Sequence, residues 1–200
     1  DFKLSLIKKE GFSVNTKDMN YLWKIFLRSK NIYDSFLNKE KTYLFFSNNF
    51  DVSNNNFVGW YSPKIEVINR FKDFINENIK YINDDEIELS EFTNVFNNIN
   101  NLDEDVDENE LMDMLTFYYE VNIENNIIVN FSCKLWNKKE DLLNCVKNKF
   151  GITSTRDITF TNAYKKYCLY LKNNKNKYIA SKQYFEKYII KFIDKEYIFN

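Results

Sequence analysis

The chain has 200 residues and a formal net charge of −1, with 44% hydrophobic and 18% aromatic residues. That is enough apolar material for one domain or two small ones, and too much for a disordered chain. It has no histidine and three widely spaced cysteines, Cys133, Cys145 and Cys168. A histidine general base, a Ser-His-Asp or Cys-His arrangement and histidine-ligated zinc are therefore excluded, and inert thiols in a reducing, intracellular compartment (cytoplasmic or nuclear) are expected.

The first ten residues carry Lys3, Lys8, Lys9 and Glu10 and no apolar stretch, so no signal peptide is expected there. The start at Asp1, without methionine, predicts an excised piece of a longer protein or a processed form. Apolar runs such as Leu44-Phe45-Phe46 are far too short to span a bilayer, so no membrane partner is expected. Thirty-one asparagines stand against three glycines and one proline. The favoured residues share A/T-rich codons, so the bias is read as that of a genome and the Asn runs are not read as aggregation-prone tracts.

In chain order, Thr16 reads as the N-cap of a first helix, with Met19, Leu22, Trp23, Phe26 and Leu27 at helical spacing. A short second helix is expected around Ile32, Phe36 and Leu37. Strands are expected at 43–46 and 57–61, separated by an Asn-rich loop, 47–56. Ser62-Pro63 opens the next helix, with a serine cap and proline at the first helical position. Ile65, Ile68, Phe71, Ile75 and Ile79 form its apolar face.

Sliding the chain against itself by 71 residues aligns this helix and its sequel with a second copy without gaps. Phe71 meets Leu142, Ile75 meets Val146, Ile87 meets Ile158, Leu89 meets Phe160 and Phe96 meets Tyr167. In each copy a helix is followed by a short alternating strand, "EIEL" or "DITF", and a hydroxyl cap, Ser90 or Thr161, opens the next helix. Residues 106–117 then read as a third helix with Leu111, Met114, Leu115 and Phe117 inward. Residues 118–131 read as a hairpin turning at Glu124-Asn125-Asn126. In the second copy, Ser181 caps the third helix and "YIF" at 197–199 begins a wing. Helix, strand, helix, helix, hairpin is the order of a winged helix. The expected fold is therefore mainly α with small β elements (α+β): tandem winged-helix-like modules at 62–133 and 134–200, preceded by an N-terminal segment, 1–61, of helices and short strands.

Charge is segregated along this plan. Residues 1–80 have a net charge of +4, residues 81–133 hold fourteen acidic and no basic groups, and residues 134–200 have a net charge of +9. A basic end fits a polyanion, whereas an acidic module repels one and could dock a protein partner. In the basic module the third helix, "SKQYFEKYIIKFIDK", turns Tyr184, Phe185, Tyr188, Ile189 and Phe192 inward. Lys182, Gln183, Lys187, Lys191 and Lys195 are left on its other faces, and Lys172, Lys175 and Lys177 precede it. These eight residues are the candidate nucleic-acid contacts. Lysines suit DNA or RNA phosphates, and the helix has no arginine for guanine; Gln183 could read an adenine edge. No metal, cofactor or catalytic residue is expected. The carboxylates of "DDEIE" and "DEDVDENE" crowd consecutive positions without the glycine of a calcium loop.

The run "ITFTNAYKKYCLYLKNNKNKYIASKQYFEKYI" resembles the C-terminal region of poxvirus-type primase-helicases and related large DNA virus proteins. The likeness covers residues 158–193 and is carried by Tyr164, Tyr167, Ser181, Lys182 and Phe185. It implies a winged-helix-like module that helps engage template DNA beside a helicase in viral replication. The chain departs from that family in having no Walker A motif and no primase metal signature, which implies an accessory module without the motor. The competing expectation is an adaptor that binds proteins and no nucleic acid, with Trp23, Trp60 or Trp136 as anchors.

Overall fold

The computed structural model describes residues 1–32, 39–150 and 159–192. The expected helix at Phe36 and Leu37, the strand positions Asp157 and Ile158, the wing at 197–199 and Lys195 lie outside them. Two compact units, Asp1–Asn76 and Glu77–Asn200, divide the chain. The sequence boundaries 61/62 and 133/134 fall at the ends of two strands, Asn56–Tyr61 and Ile127–Cys133; the division into units falls near the end of a helix, Lys64–Asn78, instead.

The first unit runs from a 3-10 turn, Phe2–Ser5, through β1 (Ile7–Asn15), α1 (Thr16–Ser29), α2 (Lys39–Asn49), β2 (Val52–Ser53) and β3 (Asn56–Tyr61) into α3 (Lys64–Asn78). The second holds β4 (Ile79–Glu88), α4 (Leu89–Asn100), α5 (Glu108–Tyr119), β5 (Ile123–Glu124), β6 (Ile127–Cys133), α6 (Lys138–Lys149), α7 (Phe160–Asn173) and α8 (Lys182–Phe192). The class is α+β, with two antiparallel three-stranded sheets among the described residues, of order β1-β3-β2 and β4-β6-β5.

The two sheets are built alike to the residue. Each hairpin turns on two asparagines with positive φ, Asn54-Asn55 and, 71 positions on, Asn125-Asn126. Positive φ at both central residues is what a type I′ turn requires, and Asn tolerates it better than any residue but Gly. Each long strand then bulges: residues 9–12 of β1 and 82–85 of β4 all stand opposite a single residue, Gly59 or Asn130. Both of those residues are left-handed, at φ 76° and 58°, and the Asn130 side chain accepts the Asp84 backbone N–H. The buried pairs Val14–Phe57 and Ile87–Ile128 occupy matching rungs.

The same residue-level match continues into the helices. Asn15 and Glu88 cap α1 and α4, and the third helical residue of each, Asp18 or Glu91, is a buried carboxylate bonded to a lysine, Lys72 or Lys138. The α7–α8 pair repeats the α4–α5 pair in its apolar spacing. Leu111, Met114 and Leu115 are buried on α5, as are Phe185, Tyr188 and Ile189 on α8. Leu89 and Phe160, aligned by the 71-residue offset, both open helices.

Several local expectations are corrected. Residues 43–46 are helical: Thr42 and Phe46, one turn apart in α2, are buried while Leu44 and Phe45 between them are exposed. Phe46 is a hub of that unit's aromatic core, 5.6 Å from the Phe57 ring and 5.8 Å from the Phe2 ring. Strand β1 was not foreseen, since Val14 alone of its nine residues is buried and no alternation shows. The loop expected at 47–56 contains the end of α2, strand β2 and the first asparagine turn. Asn15, not Thr16, caps α1 by accepting the Asp18 N–H. Glu88, not Ser90, caps α4 through a capping box with Glu91. Leu89 and Phe160 belong to helices rather than to the ends of strands, and Ile79 begins β4 rather than ending α3.

Asn126→Gly should keep or raise the urea midpoint, whereas Asn126→Val should cost about 1–2 kcal/mol, since a β-branched residue is strained in the left-handed region. Equal midpoints for the two variants would disprove the turn assignment.

Candidate nucleic-acid interface

The lysine-rich end is organised around a buried carboxylate. Glu91 Oε2 accepts hydrogen bonds from the Glu88 N–H at 3.0 Å and from Lys138 Nζ at 2.8 Å, and Oε1 accepts from the Ser181 N–H at 2.7 Å. Both side chains of the ion pair are less than a tenth exposed. Ser181 is the residue whose hydroxyl accepts the Tyr184 N–H at the start of α8. Lys138 Nζ also lies 3.9 Å from the centre of the Tyr184 ring. One acidic group thereby joins the starts of α4, α6 and α8.

Two further contacts place α8 and the α7–α8 linker. Tyr188 Oη donates to the Asp84 carbonyl, and Lys187 Nζ bonds to the nearly buried Glu86 at 2.5 Å, so α8 grips the bulge of β4. The bond to Glu86 holds the Lys187 pKa above its usual value. Asp141 of α6 accepts from Trp136 Nε1 through one oxygen and from the Asn176 side chain through the other, anchoring the linker; burial raises its pKa. Between α7 and α8, the Tyr164 and Tyr167 rings pack on Phe185 at 5.4 and 5.1 Å, and Tyr164 Oη donates to the Ala180 carbonyl.

The predicted contact residues divide into two groups on this frame. Lys182 lies beside Thr161 at the start of α7, and Lys172 lies eleven residues further along that helix, about 16 Å at 1.5 Å per residue. Lys175, left-handed at φ 57°, closes the helix by donating its N–H to the Lys172 carbonyl. Lys172, Lys175 and Lys177 are exposed and have no carboxylate partner among the described residues. Their position at a helix C-terminus also suits the macrodipole. On α8, Gln183 and Lys191 are exposed, and Lys191 Nζ lies 4.7 Å from the Tyr188 ring centre. Lys187 is already matched by Glu86, and Lys182 lies 3.5 Å from Glu186 on the same helix.

Two exposed lysines were missed, Lys165 and Lys166 of α7. The signal was present in the sequence: Ala163, Tyr167 and Leu171, four apart, are the buried stripe of α7, which leaves 165, 166, 169 and 172 outward. On the acidic side, Asp103, Glu104, Asp105, Asp107 and Glu108 are exposed without ion-pair partners among the described residues. Asp107 caps α5, and Glu108 sits in its first turn, where a negative charge is favoured. Trp60 and Trp136 are buried and Trp23 is half-buried, so the first two present little surface to a partner. Among the described residues no group of three or more acidic or cysteine side chains is placed to hold a metal ion, and no helix is long and apolar enough to cross a membrane.

Comparison with protein-family models, with curated proteins and with solved structures returns no match.

Two predictions follow from the buried groups. Replacing Lys138 by Met should cost about 3 kcal/mol or more in a chemical-denaturation experiment, because it leaves Glu91 buried without its counter-charge, and a Glu91→Gln, Lys138→Met double variant should recover part of the loss. A purely additive double variant would rule out coupling between the two groups. The second concerns alkaline pH. Burial pushes the Tyr164, Tyr167 and Tyr184 hydroxyls well above the ordinary tyrosine range and the Cys145 thiol up to about 12. The folded state keeps these protons while the unfolded tyrosines ionise near about 10. The stability the tyrosines contribute is therefore fully present below that pH and is lost as pH rises towards their raised folded values; that of Cys145 begins to be lost lower, from about 8.5. Tyrosinate absorbance from these groups should appear together with the loss of circular dichroism; ionisation of all the tyrosines in a still-folded chain would contradict their burial.

Proposed function

We propose that this chain is a non-catalytic, intracellular nucleic-acid-binding accessory module of tandem winged-helix type, in which the α7–α8 pair contacts phosphates. The observation that carries the reading is the outward set of lysines on that pair and its linker, Lys165, Lys166, Lys172, Lys175, Lys177 and Lys191, which have no carboxylate partner among the described residues. The order helix, strand, helix, helix, hairpin in α3 through β6, and the repeat of its helical spacing in α6 through α8, support the winged-helix part. In that fold the second helix of the motif braces the backbone and the third enters the major groove, roles that fall to α7 and α8. Lys182, Gln183 and Lys187 belong to the same surface, with Lys182 and Lys187 held by Glu186 and Glu86 rather than free for phosphate. The resemblance over residues 158–193 supports a setting in viral DNA replication. Phosphate contacts alone do not select DNA over RNA.

A second reading is favoured by one observation: the exposed carboxylates at 103–108, which suit a basic protein partner. The two readings separate in one experiment. Fluorescence anisotropy with random-sequence duplex and single-stranded DNA, across a salt series, should show affinity falling linearly in log–log form. Reversing Lys165, Lys166 and Lys191 together to Glu should lower the slope by about 3, near 0.9 per phosphate lost. Lys187 is left alone because a glutamate there would face Glu86. Absence of binding at low salt, or a triple variant that binds as the original chain does, would leave the adaptor reading standing.

A further inference from the structure

The solvent face of α8 carries one large apolar side chain among its polar ones. Gln183, Lys187, Ile190 and Lys191 recur at i, i+4, i+7 and i+8 and so share a face. Ile190 is 60% exposed on it, while Tyr184, Phe185, Tyr188 and Ile189 are buried on the opposite side. The face is held in one orientation, because Lys187 is bonded to Glu86 and Tyr188 to the Asp84 carbonyl. From Gln183 to Ile190 is about 10 Å along the helix axis, the rise of about three base pairs.

We propose that this face reads A·T base pairs in the major groove, Ile190 meeting a thymine methyl group and Gln183 an adenine edge; the inference rests on the nucleic-acid reading above and deepens it. The major groove is wide enough for a helix. It displays the adenine N7 acceptor and N6 donor, which suit a glutamine amide, and the thymine 5-methyl, which suits an apolar side chain. Guanine is read chiefly by arginine or lysine, and here α8 has no arginine, Lys187 is engaged by a carboxylate and Lys191 lies against a tyrosine ring. Lys165, Lys166, Lys172 and Lys175 of α7 and its linker supply the charge complementarity to the duplex. An anionic lipid surface would need a continuous apolar stripe, and this face offers one isoleucine between two lysines.

The test compares, by anisotropy, an A·T-rich duplex, the same duplex with every thymine replaced by uracil, and a G·C-rich duplex of equal length. The original chain should prefer the A·T-rich duplex to the G·C-rich one by about tenfold. Removal of the thymine methyl groups should weaken binding by about fourfold, the effect of one buried methyl-sized group. Ile190→Ala should abolish the thymine–uracil difference and leave the salt dependence unchanged, and Gln183→Ala should reduce the preference for A·T. Both residues are exposed, so neither variant threatens folding. Equal affinity for all three duplexes overturns the inference while leaving phosphate binding intact, as does a thymine–uracil difference that survives in Ile190→Ala. Binding to phosphatidylserine vesicles with no duplex binding overturns the inference together with the proposed function.

Discussion

Glu91 stands where three helices of the second unit begin, and the arrangement of that unit depends on it. A buried carboxylate is tolerated only when its lone pairs are used and its charge is matched. Glu91 meets both conditions by taking two backbone N–H groups, from Glu88 and Ser181, and the Lys138 ammonium. Each of these donors would be hard to satisfy elsewhere. The first belongs to the N-cap residue of α4, the second to the N-cap residue of α8, and the third is a lysine less than a tenth exposed. Because the demand is mutual, the three helix starts are held to hydrogen-bond precision, and an apolar contact of equal area would leave them free to slide.

The first unit uses the same device with different residues. Asp18 occupies the position of Glu91 and Lys72 the role of Lys138, although Lys72 sits midway along α3 and Lys138 at the first residue of α6. The shared features are thus the capping turn and its inward acid, while the lysine that answers it comes from whichever turn of the following helix is in reach. The four-residue bulge opposite a left-handed residue is conserved in geometry as well, with Gly59 in one sheet and Asn130 in the other. In the second unit the bulge has a visible use: its carbonyl and its flanking acid are what Tyr188 and Lys187 hold. That grip orients the outward face of α8.

The same grip redistributes the positive charge. On sequence alone, Lys187, Lys191 and Lys195 form a ridge of equivalent cations. In the folded chain Lys187 is a structural residue whose charge is matched, and Lys182 lies near Glu186. The exposed cations shift towards α7 and the linker, where Lys165, Lys166, Lys172 and Lys175 face solvent. Helices α5 and α8 therefore keep the same apolar spacing with opposite surface charge, since the outward positions of a helix can change sign without touching its packing.

What could be read from the sequence was whatever rests on local periodicity and turn chemistry. The apolar stripes of α1, α3, α5, α7 and α8, the Ser62-Pro63 start and the Asn125-Asn126 turn all depend on residues close in the chain, whose φ/ψ preferences and 3.6-residue spacing act before any tertiary contact forms. Strand β1 and helix α2 were not legible. An edge strand with one buried residue carries no alternation, and the run Tyr43-Leu44-Phe45-Phe46 suits strand or helix until Phe46 finds its aromatic neighbours. The partners of Glu91, Glu86 and Asp141 were equally hidden, because Ser181, Lys187 and Asn176 stand 90, 101 and 35 residues away. Local sequence determined most of the helices and which of their faces are apolar; tertiary structure decided which charges are matched between elements and which remain for a ligand, because a charge pair between distant segments forms by proximity in space and leaves no spacing in the chain.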